Sequence, residues 1–165
     1  MKIQFELMAR YNQWMNDKLY AVCAEIPDAD RKNDMGAFFK SIHSTLNHIM
    51  FADKAWLARF TGKSIDGLKM GVDIYSDFEE LRKEREKMDR EIIEWTETLE
   101  PDWLNSELTF TSKVDGKTHK LPNWAAVTQL FNHQTHHRGQ LTTLLKQLGH
   151  EPGITDIPWM PEFNR

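Results

Sequence analysis

Three histidines carry the clearest chemical signal in this sequence. His133 and His137 are four residues apart in the run FNHQTHHRGQL, and His48 lies in the earlier run LNHIMFADKAWLARF. Residues four apart on an α-helix lie about 40° apart on one face. A third imidazole from a neighbouring helix would complete a three-nitrogen site with an open coordination position. Such an open site is typical of catalytic metal ions rather than structural ones.

Apolar periodicity and helix-end signals predict the elements that must position these histidines. Four helices are predicted, over residues 3–25, 35–61, 77–99 and 122–148. Asp34 is the predicted N-cap of the second helix. Residues 107–121 alternate apolar and polar side chains around Asp115-Gly116, which predicts a β-hairpin with a type I′ turn. We therefore expect an all-α fold: one domain over 1–165, a four-helix bundle with a small hairpin before the last helix.

Composition excludes several classes of function. The formal net charge is −4 and no basic stripe is visible, so we expect no binding to nucleic acid. No apolar run has the length of a membrane span, and the first residues lack the apolar core of a signal peptide. Cys23 is the single cysteine and is expected to be a buried, unreactive thiol. A lone cysteine fits a reducing compartment, so a cytoplasmic location is expected.

Helix projection places the histidines relative to the core. His133 and His137 fall inside the leucine-rich stripe of the last helix, whereas His136 falls at its margin and is expected to face solvent. His48 lies at the midpoint of the second predicted helix, level with the midpoint of the last. Small residues flank it, and they leave room either for a cavity or for close packing of a neighbouring helix. The alternative explanation is that these are core histidines with ordinary hydrogen bonds.

Further polar residues fall on the apolar faces of three helices: Asn12, Asn16, Asp53, Gln134 and Arg138. A purely structural bundle seldom buries so many polar groups at mid-height. We predict that Asp53 and Arg138 form a buried ion pair. Asp53 is also the candidate for a group that orients the metal ligands, or for a general base.

The sequence resembles the DinB-like family of bacterial helical-bundle proteins, named for members induced by DNA damage. The segments that carry the resemblance are YNQWMN, LNHIMFADKAWLARF, LPNWAAVTQLFNH and HQTHHRGQL, so it covers nearly the whole chain. The resemblance implies that His48, His133 and His137 bind a divalent metal ion. It also implies a homodimer, and the side of the first helix that carries Leu7 and Trp14 is the candidate dimer surface.

The resemblance also indicates a type of chemistry. The wider superfamily includes metal-dependent transferases that use small thiols such as bacillithiol and mycothiol. A metal-bound thiol loses its proton, so transfer needs little further help from the protein. A peptidase-like mechanism is disfavoured, because Gln134 stands where the zincin motif has glutamate.

We therefore expect thiol-S-transferase chemistry on a small electrophile, with zinc, nickel or iron as the metal ion and a low-molecular-weight thiol as co-substrate. Three alternatives stay open at this point. One is a metal-binding stress-response protein without turnover, another is a metal-dependent hydrolase, and the third is a structural dimer module with vestigial histidines.

Overall fold

The computed structural model describes residues 1–64, 66–67, 69–112 and 115–164, and is a helical bundle with one hairpin. The helices are α1 Lys2–Ala24, α2 Asp28–Lys32, α3 Ile42–Thr61, α4 Phe78–Glu97, α5 Pro101–Asn105 and α6 Asn123–Gln147, and the strands are β1 Glu107–Thr111 and β2 Thr118–Pro122. The predicted all-α bundle with a small hairpin before the last helix is confirmed. No helix within the described ranges is both long and apolar enough to cross a lipid bilayer.

The four long helices pack as a ring around one apolar core. α1 packs against α4 and α6, and α3 packs against the same two helices. α3 and α6 are therefore neighbours, as the three-histidine prediction requires. The core between them is built from apolar side chains on all four helices, among them Leu19, Leu46, Leu81 and Leu141, all almost completely buried.

The second long helix begins later than the sequence predicts. α3 starts at Ile42, and its N-cap is Ser41, whose side chain accepts a hydrogen bond from the Ser44 backbone N–H at 3.0 Å. Asp34, the predicted N-cap, instead accepts from the Gly36 N–H at 2.9 Å and so closes a tight turn. Aspartate supports both kinds of structure with the same side-chain bond, which is why the pattern was misleading.

The residues between that turn and α3 form a second turn rather than helix. Ala37 and Lys40 make an isolated antiparallel bridge, and Lys40 has a left-handed backbone with φ of 65°. This conformation is uncommon for residues other than glycine and cannot continue a right-handed helix. Phe38, which falls inside the helix predicted over residues 35–61, is 84% exposed as a result.

The hairpin is present, but its connection differs from the predicted two-residue turn. Thr111 pairs with Thr118 in the antiparallel ladder. A two-residue turn centred on Asp115-Gly116 would pair Thr111 with Lys120 instead. The connection is therefore longer than a type I′ turn, and two of its residues, 113 and 114, lie outside the described residues.

Candidate metal centre

The structure brings the three predicted histidines together where α3 packs on α6. The Nε2 atom of His133 lies 3.1 Å from the Nε2 atoms of both His48 and His137. One ring nitrogen from each residue lies within 4.8 Å of the others, so the cluster could hold a metal ion. His137 is buried, and the other two are half-buried at the edge of the core. We call these three residues the histidine trio.

The trio is held in its uncharged form. Burial, together with the charge that the neighbouring imidazoles would carry, lowers the pKa of His133 to about 3 and that of His48 to about 4. The pKa of His137 is also lowered, again mainly by burial. All three rings are therefore neutral near pH 7. This is the protonation state in which imidazole binds a metal ion.

The hydrogen atoms available to the trio cannot satisfy all three facing nitrogens. The Nδ1 atom of His137 lies 2.8 Å from the Gln140 Oε1 atom, an acceptor, so Nδ1 carries the proton and Nε2 presents a lone pair. If His133 Nε2 carries a proton, it donates it to one neighbour and leaves the other without a full hydrogen bond. If it carries none, its lone pair faces that of His137 at 3.1 Å. A cation would interact favourably with all three lone pairs.

The spacing of the trio also fits a small divalent ion. Zinc holds histidine nitrogens at about 2.0–2.1 Å, which places two ligands of a tetrahedral site about 3.3 Å apart. The two 3.1 Å separations in the trio are close to that value. The residues present therefore fit a metal ion by donor type, by charge state and by distance.

An aromatic side chain holds the third ligand ring in place. Phe39, on the turn before α3, stacks on His48 with ring centroids 3.8 Å apart and an angle of 18° between the planes. Its edge also meets His137 at 5.4 Å. The Nδ1 atoms of His48 and His133 are buried without a hydrogen-bond partner. Packing against Phe39, rather than a hydrogen bond at Nδ1, therefore orients the His48 ring on this side.

The predicted ion pair between Asp53 and Arg138 is wrong. Asp53 forms its ion pair with Arg85 of α4, and both side chains are fully buried. Arg85 also contacts the Asp89 carboxylate at 2.8 Å. The sequence places Arg85 in a highly charged stretch, which is typical of a solvated helix face. Helix periodicity is the signal that could have revealed it, because Arg85 lies four residues after Leu81 and three before Met88 on the buried face of α4.

Arg138 belongs to the same buried cluster through an amide. Its guanidinium donates to the Asn12 Oδ1 atom, and Asn12 in turn donates to Asp89 at 3.0 Å. Asn16 donates to Asp89 at 2.9 Å. We call this cluster the polar layer, and its members are Asn12, Asn16, Asp53, Arg85, Asp89 and Arg138. It links all four long helices, and the predicted burial of Asn12, Asn16, Asp53, Gln134 and Arg138 is confirmed.

Two clefts open onto the trio from different sides. The first has a volume of about 380 Å³ and lies between α3, the hairpin and α6, with His48 and His133 at its inner end. The second, of about 290 Å³, lies between the α2–α3 turn, α3 and the loop after it. His48 and Phe51 line both clefts. The predicted room around His48 is confirmed, since Ala52 and Ala55 form part of the first cleft's wall.

Comparison with known proteins identifies the family to which this chain belongs. The DinB family model matches residues 1–164. The protein is a member of the DinB family. It is 27% identical over 152 residues to Protein DinB of Bacillus subtilis, covering 88% of this chain and 87% of that one. It also shares its fold with a DinB-like protein from Bacillus cereus, with a TM-score of 0.64, 21% identity and coverage of 92% and 91% of the two chains.

Of the remaining chemistry-bearing residues of this DinB-family protein, His43 and Cys23 lie apart from the trio, whereas the ring of His136 packs against that of His137 with centroids 4.8 Å apart. His43 is buried and its Nε2 atom bonds the Tyr75 backbone oxygen at 2.9 Å, so it points elsewhere. His136 is exposed, as predicted. Cys23 is fully buried, and burial raises the pKa of its thiol to about 12. The predicted buried thiol is confirmed, and we expect it to be unreactive in the folded protein.

Proposed function

We propose that this DinB-family protein is a metal-dependent transferase that joins a small thiol to an electrophilic carbon. His48, His133 and His137 would hold the divalent ion, which we expect to be zinc, nickel or iron. The observation that carries the proposal is the convergence of three neutral ring nitrogens that lack the hydrogen atoms to satisfy one another. A metal ion bound there would supply a deprotonated thiolate or an activated water molecule.

The protein's own residues would contribute placement rather than acid–base chemistry. Asp53 is unavailable as a base because it is fully buried and paired with Arg85. Phe39 and Phe51 cover the trio with aromatic surface, which limits the access of water. In the transfer, a carbon–sulfur bond forms, the bond to the leaving group breaks with its electron pair, and the thiol proton passes to solvent.

The two clefts support a reaction with two substrates. They approach His48 from different sides, so a thiol in one and an electrophile in the other would meet beside the trio. Holding two reactants in contact converts a bimolecular encounter into a step within one complex. This placement can account for a large part of the rate acceleration of an enzyme.

One observation supports hydrolysis as a second candidate function. Asp73 lines the second cleft together with His48, and its carboxylate accepts a hydrogen bond from the Ser44 hydroxyl at 3.1 Å. A carboxylate beside an activated water is the arrangement that a metal-dependent hydrolase needs. An Asp73→Asn variant separates the two functions, because thiol transfer as proposed does not use this group.

The first experiment measures metal. Freshly purified protein should contain close to one divalent ion per chain by mass spectrometry, and His133→Ala should contain almost none. His136→Ala is the matched control, since this exposed histidine on the same helix lies outside the trio. An absence of bound metal in the wild-type protein, even after incubation with zinc, nickel and iron salts, would contradict every metal-dependent function.

The second experiment measures turnover. Metal-loaded protein is incubated with bacillithiol or glutathione and with chloro-aromatic or epoxide acceptors. We expect acceleration that requires metal, is lost in His133→Ala and is kept in His136→Ala and Asp73→Asn. Bound metal without acceleration for any pair would favour a stress-related metal-binding protein. Hydrolysis of activated esters that Asp73→Asn abolishes would favour the hydrolase.

A further inference from the structure

One face of α3 forms the floor of the first cleft and leads from the trio to an arginine. His48, Ala52 and Arg59 line the cleft, spaced four and seven residues apart on one helix face. Arg59 lies 11 residues after His48, about 16 Å along the helix axis. Side chains on a helix lean toward its N-terminus, so that of Arg59 leans back toward the trio.

The guanidinium of Arg59 is positioned by aromatic rings rather than by an acid. Its central carbon lies 4.8 Å from the ring centroids of both Trp56 and Phe110. The side chain is half-buried, and burial lowers its pKa. Among the residues that the structure describes, no carboxylate forms an ion pair with it. The two rings hold the guanidinium group in one orientation, and no acidic group within the described residues neutralises its charge. A partly desolvated cation of this kind favours binding of an anion.

The lining of the cleft gives the sign of the charge that it accepts. Its described wall contains no aspartate or glutamate but three basic residues, Arg59, His119 and Lys120. Lys120 already pairs with Glu107 at 3.3 Å, and His119 with Asp115 at 3.1 Å. Of these three residues only Arg59 has no acidic partner within the described part of the chain. A positive cleft wall on a protein of net charge −4 would attract anionic ligands to this point.

We infer that Arg59 binds the carboxylate of a small acid whose apolar body lies in the first cleft and whose reactive end reaches the trio. This inference names the substrate class of the proposed transferase and rests on that function. The cleft wall also presents apolar and aromatic surface, with Trp56, Phe110 and Leu121 among the residues that form it. They suit an aromatic or aliphatic acceptor better than a polar thiol, and the planar guanidinium suits a carboxylate, which it can bind through two hydrogen bonds.

Binding measured by calorimetry tests this assignment without any need for turnover. Phenylbutyrate is compared with phenylbutanol, its neutral counterpart, on metal-loaded and on metal-free protein. The wild-type protein should bind the acid about tenfold or more tightly than the alcohol in both states, because a charge-assisted hydrogen bond is involved. Arg59→Gln should remove this preference, and Arg59→Lys should keep part of it.

The matched control is Arg90→Gln, which removes one positive charge from an exposed helix position that does not line the cleft. It should bind both compounds as the wild-type protein does. Circular dichroism verifies that each variant is folded. If Arg59→Gln does not fold, Arg59→Lys takes its place, and its preference for the acid should be weaker than that of the wild-type protein. Equal affinity for acid and alcohol in the wild-type protein would overturn the inference. So would a preference that Arg59→Gln leaves unchanged.

Two further outcomes would also overturn it. A preference seen only with metal bound would place the carboxylate on the metal ion instead of on Arg59. S-methylglutathione is an unreactive, polar thioether with carboxylates, and it represents the thiol co-substrate. If its affinity depends on Arg59 while that of phenylbutyrate does not, the anionic ligand is the thiol. None of these outcomes affects the metal-content and turnover tests, so failure here is distinct from failure of the proposed function.

Discussion

The polar layer and the histidine trio lie side by side on α6, where Gln134 and Arg138 directly follow His133 and His137 in the sequence. In the polar layer, Arg85 contacts the carboxylates of Asp53 and Asp89, and Arg138 donates to the Asn12 amide oxygen, so each charged group has a polar partner within the protein. The trio presents three neutral acceptors to one another instead. The charges of the first cluster compensate one another within the protein and link the helices, whereas the facing nitrogens of the second lack the hydrogen atoms to satisfy one another. This difference separates a structural polar cluster from a binding site.

The largest expected effect comes from breaking the polar layer. Arg85→Leu removes the guanidinium that both Asp53 and Asp89 contact and leaves two buried carboxylates without it. The free energy of unfolding should fall by about 3–5 kcal/mol, the usual result of removing one partner of a buried ion pair. Urea unfolding of the metal-free wild-type and variant proteins measures this difference in the free energy of unfolding. A loss below about 1 kcal/mol would mean that the layer does not hold the bundle together.

The same measurement on the trio should give a different result. His133→Ala removes a neutral ring whose Nδ1 atom has no partner, so metal-free stability should change far less than in Arg85→Leu. With free metal at 100 times its Kd, the wild-type protein should gain about 2.7 kcal/mol and the variant nearly nothing. Equal stabilisation of the two by metal would exclude His133 as a ligand.

A pair of adjacent phenylalanines tests how the trio is oriented. Phe39→Ala removes the ring stacked on His48, and metal affinity should fall by about tenfold, near the lower end of the effect of residues that orient metal ligands. Phe38→Ala is the control, because this neighbour is 84% exposed. Metal titration followed by calorimetry compares them. Equal affinities in the two variants would show that the stack does not contribute.

Acidification should reveal a smaller difference. The folded-state pKa values of His133 and His48 lie well below the ordinary value of about 6.5, so between that pH and about 4 the unfolded chain binds protons that the folded trio does not. The stability of metal-free wild-type protein should therefore fall as pH decreases through this range. His133→Ala lacks one of these groups and should lose less. Unfolding curves for the two proteins that stay parallel from pH 7 to 5 would contradict the lowered pKa of His133.

The trio could be predicted from sequence because it depends on helix periodicity alone. His133 and His137 share one face wherever the helix begins, and His48 stays level with them although α3 starts at Ile42 rather than near residue 35. Errors in helix ends therefore did not affect the site. The same regularity allowed the buried faces of α1 and α6 to be predicted.

The residues around the trio could not be predicted in the same way. Arg85 shares the helical spacing of the buried Leu81 and Met88, so periodicity could have placed it inward, but its pairing with Asp53 depends on how α4 packs against α3. Phe39 contacts His48 only because the chain turns at Lys40, whose left-handed conformation has no signal in the residue type. Arg59 lies near the end of α3, where basic residues are common for electrostatic reasons unrelated to any ligand. These contacts arise from tertiary packing.

The division of the site between two kinds of element has an evolutionary consequence. The three metal-binding candidates stand on long helices of the bundle, while Phe39 and Phe110 belong to a short turn and a two-stranded hairpin at its periphery. Insertions and substitutions in such peripheral segments are tolerated far better than changes in a packed helix. Under the proposed function, relatives with this fold can diverge in the molecules they accept by exchanging the turn and the hairpin, while the helices keep the three histidines in place.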